Sequence, residues 1–221
     1  MTSKIDYSVV LLQNGEHKEW LLKKHYAKRT CSVSYAYGLI HDNKIVGVCT
    51  FGFPPNYNYN DGKCIFHEFK VKTLELNRLV INTNNEKNLL SFFVANAIKL
   101  LPKPLAIVSY ADPNQNHHGY IYQATNWIYT GVSTGKKRYT FEDGSTFDIR
   151  RGLDSKGKIV KIETLKPTHR YIYLHGNKSD KKKMVNDLKL TIHPYPKGEN
   201  KYYECDDISM KYQKQLDMLA I

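Results

Sequence analysis

Cysteine is scarce in this chain of 221 residues: Cys31, Cys49, Cys64 and Cys205, with no Cys-x-x-Cys pair among them. That pattern argues against a disulfide framework or a structural zinc site and leaves the thiols as small buried groups in a reducing compartment. Long apolar runs are missing too. Nothing approaches the roughly 20 apolar residues that cross a bilayer, and the start, Met-Thr-Ser-Lys-Ile-Asp, has no apolar signal core behind it. The expected compartment is therefore the cytoplasm, with no membrane partner. Repeats and low-complexity tails are absent as well. Acidic residues are in short supply, 21 against 33 Lys and Arg, which leaves a net charge of +12. Excess positive charge draws polyanions, and the 17 tyrosines are rings that can stack on bases taken out of a helix. Lysine-rich surfaces also occur on proteins that bind nothing acidic, but nucleic acid is the preferred partner.

What remains is the composition of a globular protein, 41% apolar, of a length that suits one buried core. The expectation is one domain over residues 1–221, in which 135–221 form a basic hairpin and C-terminal extension. Ile5 to Leu12 alternates like a strand, and Glu16 to Arg29 reads as a helix. Ser32 to Ile40 and Lys44 to Phe53 flank the turn His41-Asp42-Asn43. A Pro/Asn-rich loop, 53–62, follows. Leu74 to Ile81 is a strand. Glu86 to Leu101 carries Leu89, Leu90, Phe93, Ala97, Leu100 and Leu101 at helical spacing until Pro102 and Pro104 stop it. Leu105 to Asp112 is a buried strand, His118 to Asn126 a short helix, and Trp127 to Ser133 a strand. That order implies a right-handed crossover and a mixed α/β sheet. Beyond Gly135 come a hairpin, 138–150, with Asp143-Gly144 at its tip, a strand over Thr168 to Leu174, and a basic helix from Lys181 to Leu190.

The densest chemistry lies in Ser109-Tyr-Ala-Asp-Pro-Asn-Gln-Asn-His-His-Gly-Tyr-Ile-Tyr122. The apolar run Leu105 to Val108 puts Asp112 just past the C-terminal end of a buried strand, the edge at which open α/β sheets hold their ligands. A carboxylate there beside His117, His118, Tyr120 and Tyr122 is a compact set of proton-handling groups.

Several motifs resemble the Mom family of bacteriophage proteins: Lys24-His25-Tyr26, Leu76-Asn77-Arg78-Leu79, Ser109-Tyr-Ala-Asp112, His117-His118-Gly119, Ile121-Tyr122-Gln-Ala124, Asn126-Trp127 and His169-Arg170-Tyr171. The likeness runs from about residue 20 to about 200. It implies a GNAT-like acyltransferase fold with a basic C-terminal elaboration, and an enzyme that places a carbamoylmethyl group on the exocyclic amine of adenine in phage DNA. Such DNA resists host restriction. By the resemblance, the catalytic residues are His25, Tyr26, Asp112 and Tyr122. Arg78 and Ser91 belong to the cofactor region, acetyl-CoA is the suspected donor, and iron is a candidate requirement. His25 and Asp112, with His117 or His118, have the chemistry of a two-histidine, one-carboxylate iron set. One departure stands out. GNAT enzymes cradle the CoA pyrophosphate on a glycine-containing loop, whereas Asn82 to Asn88 has no glycine and carries Glu86.

A carbamoylmethyl product joins nitrogen to a methylene carbon, which is not the electrophilic centre of acetyl-CoA. Asp112 could accept a proton from the amine, and Tyr122 could donate one to a leaving group. Lys136, Lys137, Arg138, Arg150 and Arg151 bracket one hairpin, a ribbon suited to phosphates. The partner would be double-stranded DNA with its adenine flipped out of the stack, and tyrosines of the Asn56-Tyr57-Asn58-Tyr59 loop could stack on it. Plainer readings stand beside each choice: His25 as a core histidine, Asp112 as a turn former, Arg78 as an ion-pair partner, Tyr122 as a core aromatic. At the level of function the rivals are an ordinary CoA-dependent N-acetyltransferase and a non-catalytic basic nucleic-acid-binding protein.

Overall fold

The computed structural model describes residues 6–13, 15–59, 61–82, 86–149, 157–198 and 210–211. Arg150 and Arg151 lie outside them, as does the centre of the 82–88 loop. The chain divides into two compact units, one of residues 1–108, 174–189 and 203–221, the other of 109–173 and 190–202.

In the first unit, β1 (Tyr7–Leu11), β2 (Tyr35–His41), β3 (Lys44–Gly52) and β4 (Thr73–Ile81) pair antiparallel in that order. The β2–β3 turn is built on Asp42 and Asn43, both with positive φ, the backbone form that short-side-chain polar residues tolerate. Helix α1 (Leu89–Lys99) then leads to β5 (Leu105–Ala111), which lies parallel to β4. The expected strand–helix–strand unit and mixed sheet are therefore present. Leu89, Phe93, Val94, Ala97 and Ile98 bury one side of α1, and Pro102 follows soon after its end. Every side chain from Leu105 to Ser109 is buried, as expected of a strand covered on both faces.

The parallel pairing is short, from Thr73–Ala106 to Glu75–Val108. Just beyond, Phe51 pairs with Leu76 and Thr50 with Arg78, so Asn77 is the extra residue of a β-bulge. Its side chain accepts from the Thr50 hydroxyl at 2.6 Å and donates to the Ser32 carbonyl at 2.7 Å. That bulge clamps the segment before β2 onto the end of β3.

The expected helix over 16–29 is much shorter. Its regular part is one π-helical turn, Trp20–Lys24, closed by the His25 amide on the Trp20 carbonyl at 2.9 Å. The wide turn lets Trp20, Leu21, Lys24 and His25 all face inward. His25 is already extended, with ψ 135°.

In the second unit, the end of β5 is followed by a 3₁₀ turn (Pro113–Gln115), helix α2 (Tyr120–Ala124) and β6 (Ile128–Val132). Strands β7 (Lys136–Phe141), β8 (Thr146–Ile149) and β9 (Ile159–Leu165) make a separate sheet in the order β8-β7-β9. Strand β10 (His169–His175) pairs antiparallel with β6. Back in the first unit, α3 (Lys178–Asn186) starts three residues before the expected basic helix, because its N-cap Asn177 and Asp180 form a reciprocal capping box. A two-residue strand, β11 (Met210–Lys211), pairs with β3.

Gly52 tests the clamp at Asn77. A Cβ there would lie 1.9 Å from the Ser32 carbonyl oxygen. Gly52→Ala is expected to lower stability by about 1–3 kcal/mol, the range for overpacking, read as a lower urea midpoint.

Candidate functional site

Asp112 is the first half-exposed acidic residue after the buried run of β5. Its backbone carbonyl accepts from the Gln115 and His117 amides, which turns the chain sharply. Its Oδ1 accepts from the Asn114 amide at 2.9 Å and from Asn114 Nδ2 at 2.7 Å. Among the described residues Oδ2 has no hydrogen-bond partner. The carboxylate lines a cleft of about 20 Å³ together with Asn114, Ser133, Lys136, Asp148 and Thr168. Such a space holds a water molecule.

Tyr122 occupies different surroundings. Its hydroxyl accepts from Ser109 Oγ at 2.7 Å, a fully buried bond. Trp127 and Tyr171 flank its ring at 5.0 and 5.1 Å. The rings continue from Tyr171 to Tyr129, then to His169 and His118. Aromatic pairs of this kind add about 0.5–1.5 kcal/mol each beyond their buried area. Gly119 makes the packing possible. Its φ is +83°, and a Cβ there would sit 2.3 Å from the Tyr171 ring. Tyr171 Oη donates to the His118 carbonyl at 2.6 Å, and Gln123 reaches both Tyr171 and the Pro196 carbonyl. Burial pushes the Tyr171 phenol up to about 12 and raises that of Tyr129. The Asp112 carboxylate accepts its hydrogen bonds from Asn114 and makes none with Tyr122.

The remaining expected site residues fall in the first unit. His25 is buried, accepts from the Ala27 amide on Nδ1 at 3.1 Å, and stacks on Tyr26 with centroids 4.4 Å apart. Beside it, Lys24 is only 3% exposed and donates to Asn82 Oδ1 at 2.9 Å. Arg78 Nη1 donates to the Asn77 carbonyl, while its buried Nε has no partner among the described residues. Ser91 Oγ donates to the Asn88 carbonyl within the first turn of α1. Tyr59, one of the loop tyrosines, is buried.

At the hairpin, Arg138 is forked onto Asp148 at 2.7 and 2.9 Å. That carboxylate raises its pKa, with smaller contributions from Glu163 and Asp112. Lys136 lines the cleft and Lys137 is exposed.

A model of the Mom protein family matches residues 6–197. The chain belongs to this family. It is also similar to the methylcarbamoylase mom of Escherichia phage Mu, 25% identical over 190 residues, which cover 79% of this chain and 77% of that protein.

Family membership raises the question of bound groups. Among the described residues, no three His, Cys, Asp or Glu side chains gather into a set that could hold a metal ion. His25, Asp112 and a second histidine do not form such a set among the described residues. No helix among the described residues is long and apolar enough to cross a membrane. Two residues of the site escaped the reading of the sequence, Asn114 and Ser109. Both carried a signal: Asp-Pro-Asn is a turn spacing in which the third residue can answer the first, and Ser109 ends the apolar run Leu105 to Val108 with a hydroxyl.

His169 accepts or donates at Nδ1 to Tyr129 Oη, 2.9 Å away. Burial first, and then the neighbouring His118, hold its pKa below the ordinary value. The folded state therefore prefers the neutral ring. Its contribution to stability is complete above about 6.5, the unfolded value, and is lost as pH falls through the lower folded value. Melting temperature should drop over that acid window and His169→Gln should flatten part of the slope. Burial depresses His17 and His175 as well, so a slope remains.

Proposed function

We propose that this Mom family member modifies adenine in bacteriophage DNA, placing a carbamoylmethyl group on the exocyclic amine and so protecting the DNA from host restriction. The family match over residues 6–197, with the similarity to a methylcarbamoylase, carries the reading. The net charge of +12 supports a polyanionic substrate. On this reading the scaffold is GNAT-like and the target base leaves the stack to meet the enzyme.

The amine of adenine is a weak nucleophile, its lone pair delocalised into the ring. When its nitrogen bonds to the methylene carbon, the bond from that carbon to its leaving group breaks and the nitrogen gives up one proton. Asp112 Oδ2 is suited to receive that proton, directly or through one water in the cleft. Tyr122, His25 and Tyr26 complete the catalytic set, with Tyr122 as the proton donor to the leaving group. Arg78 and Ser91 would hold the donor: acetyl-CoA can supply two carbons only together with a two-electron oxidant for its methyl carbon and a source of the amide nitrogen, whereas a glycine-derived unit would bring that nitrogen with it. The orphaned Nε of Arg78 fits an anionic group of such a donor. Phosphates would meet Lys136, Lys137 and Arg138, with Arg150 and Arg151 beyond them.

Nucleosides from the DNA of cells expressing the chain should include an adenine heavier by the carbamoylmethyl group, seen by mass spectrometry. Asp112→Asn should reduce it by about 10²–10⁴-fold, the usual worth of a general base. Unshifted adenine in the wild-type strain would refute the reading in favour of an acetyltransferase of small amines. Full protection from restriction with Asp112→Asn would favour a binding protein without catalysis.

A further inference from the structure

We propose that Asn114 is the positioning residue of the Asp112 carboxylate, and that through it the sheet β8-β7-β9 is part of the site and not only a surface for phosphates. The inference rests on the reading of Asp112 as the proton acceptor and names what that reading leaves unassigned.

A turn of the Asp-Pro-Asn kind needs one hydrogen bond, from the third residue's amide to the first residue's carboxylate. That bond is present, Asn114 N to Asp112 Oδ1 at 2.9 Å. The second donation, Asn114 Nδ2 to the same oxygen at 2.7 Å, is not required by the turn. Together they occupy Oδ1 and leave Oδ2 without a hydrogen bond among the described residues, in a residue that lines the cleft. A carboxylate with one oxygen tied cannot exchange its two oxygens by rotation, so a proton always arrives at the same atom. Pre-organisation of this kind is what a general base in a fixed pose requires.

The same side chain reaches the sheet. Asn114 Nδ2 donates its other hydrogen to the Lys166 carbonyl, and Asn114 Oδ1 accepts from the Lys166 amide, both at 3.0 Å. Lys166 directly follows β9. The amide group thus has two donors and one acceptor in use, a pattern that asparagine satisfies and aspartate cannot, since aspartate has no hydrogens to give. Charge adds a second link. Arg138, in the middle strand and forked onto Asp148 of β8, lies within electrostatic reach of Asp112. A phosphate backbone lying on this sheet therefore bears on the end of the chain segment that orients Oδ2.

Two substitutions separate this role from that of a turn former. Asn114→Asp keeps a good turn residue and its backbone amide but removes both side-chain donations, and Asn114→Ala removes the side chain. Three measurements are made on the full-length chain: the rate at which shifted adenine accumulates in cellular DNA per soluble protein, duplex DNA affinity by salt titration, and melting temperature. The expected result is a loss of rate of about tenfold or more for both variants, as for a lost orienting contact. Duplex affinity should stay within about twofold, with both proteins folded at the assay temperature. Wild-type rates in either variant would overturn the proposal. So would a loss of rate that only tracks lost duplex affinity, or the failure of both variants to fold, since each makes Asn114 structural. If the wild-type protein leaves adenine unshifted, the function itself fails; if it is active and the variants match it, only this inference does.

Discussion

Strand β5 buries every side chain from Leu105 to Ser109, and that burial decides where chemistry can begin. A charged group inside such a strand would have to be desolvated without a partner, at a cost of several kcal/mol by the usual estimates. After Glu86 the next carboxylate therefore waits until Asp112, where the strand has ended and the backbone turns. The turn, the cleft and the short helix that follow are all consequences of leaving a covered strand at a rim. Only Ser109 breaks the apolar pattern from inside, and it does so with its hydroxyl committed to Tyr122.

This constraint explains why so much was legible beforehand. The strand ends, the turns at Asp42-Asn43 and Asp143-Gly144, and helix α1 follow from alternation, helical spacing and turn residues, which are local properties. The placing of Asp112 just past β5 follows from the same run of apolar residues. Three features were not legible for identifiable reasons. The turn at Trp20–Lys24 became π-helical because four inward-facing residues must share one short segment, a demand set by the core and not by propensity. Strand β9 hid because Val160 and Ile162 are more than half exposed, so no buried stripe marks it. The role of Asn114 depends on Lys166, 52 residues away, and no local pattern announces a partner at that distance.

The charge surplus is distributed less simply than its total suggests. Within the hairpin sheet, Arg138 pairs with Asp148, Lys158 with Glu142 and Lys161 with Glu163. Exposed pairs of the last two kinds contribute about 0–1 kcal/mol to stability, but they do neutralise charge that a simple count assigns to a polyanion. Arg138 is the more constrained case, because its planar fork is already filled by one carboxylate. For it to bind a phosphate it would have to share or leave Asp148. Lys136 and Lys137 carry no such commitment among the described residues, so phosphate contact on this sheet falls first to them.

Scale gives the last constraint. The cleft beside Asp112, about 20 Å³, admits a water. If adenine is the substrate, its proton can reach the carboxylate through such a water, and alignment then falls on that one side chain. Extruding a base from a duplex costs a few kcal/mol, and on the proposed reading phosphate contacts on the basic sheet would offset it. The two demands meet in one unit of the chain, where a single asparagine is bonded to the carboxylate on one side and to the end of the sheet on the other. Binding and proton transfer are then not separable surfaces. A change that loosens the sheet without touching Asp112 should still be felt at the oxygen that takes the proton.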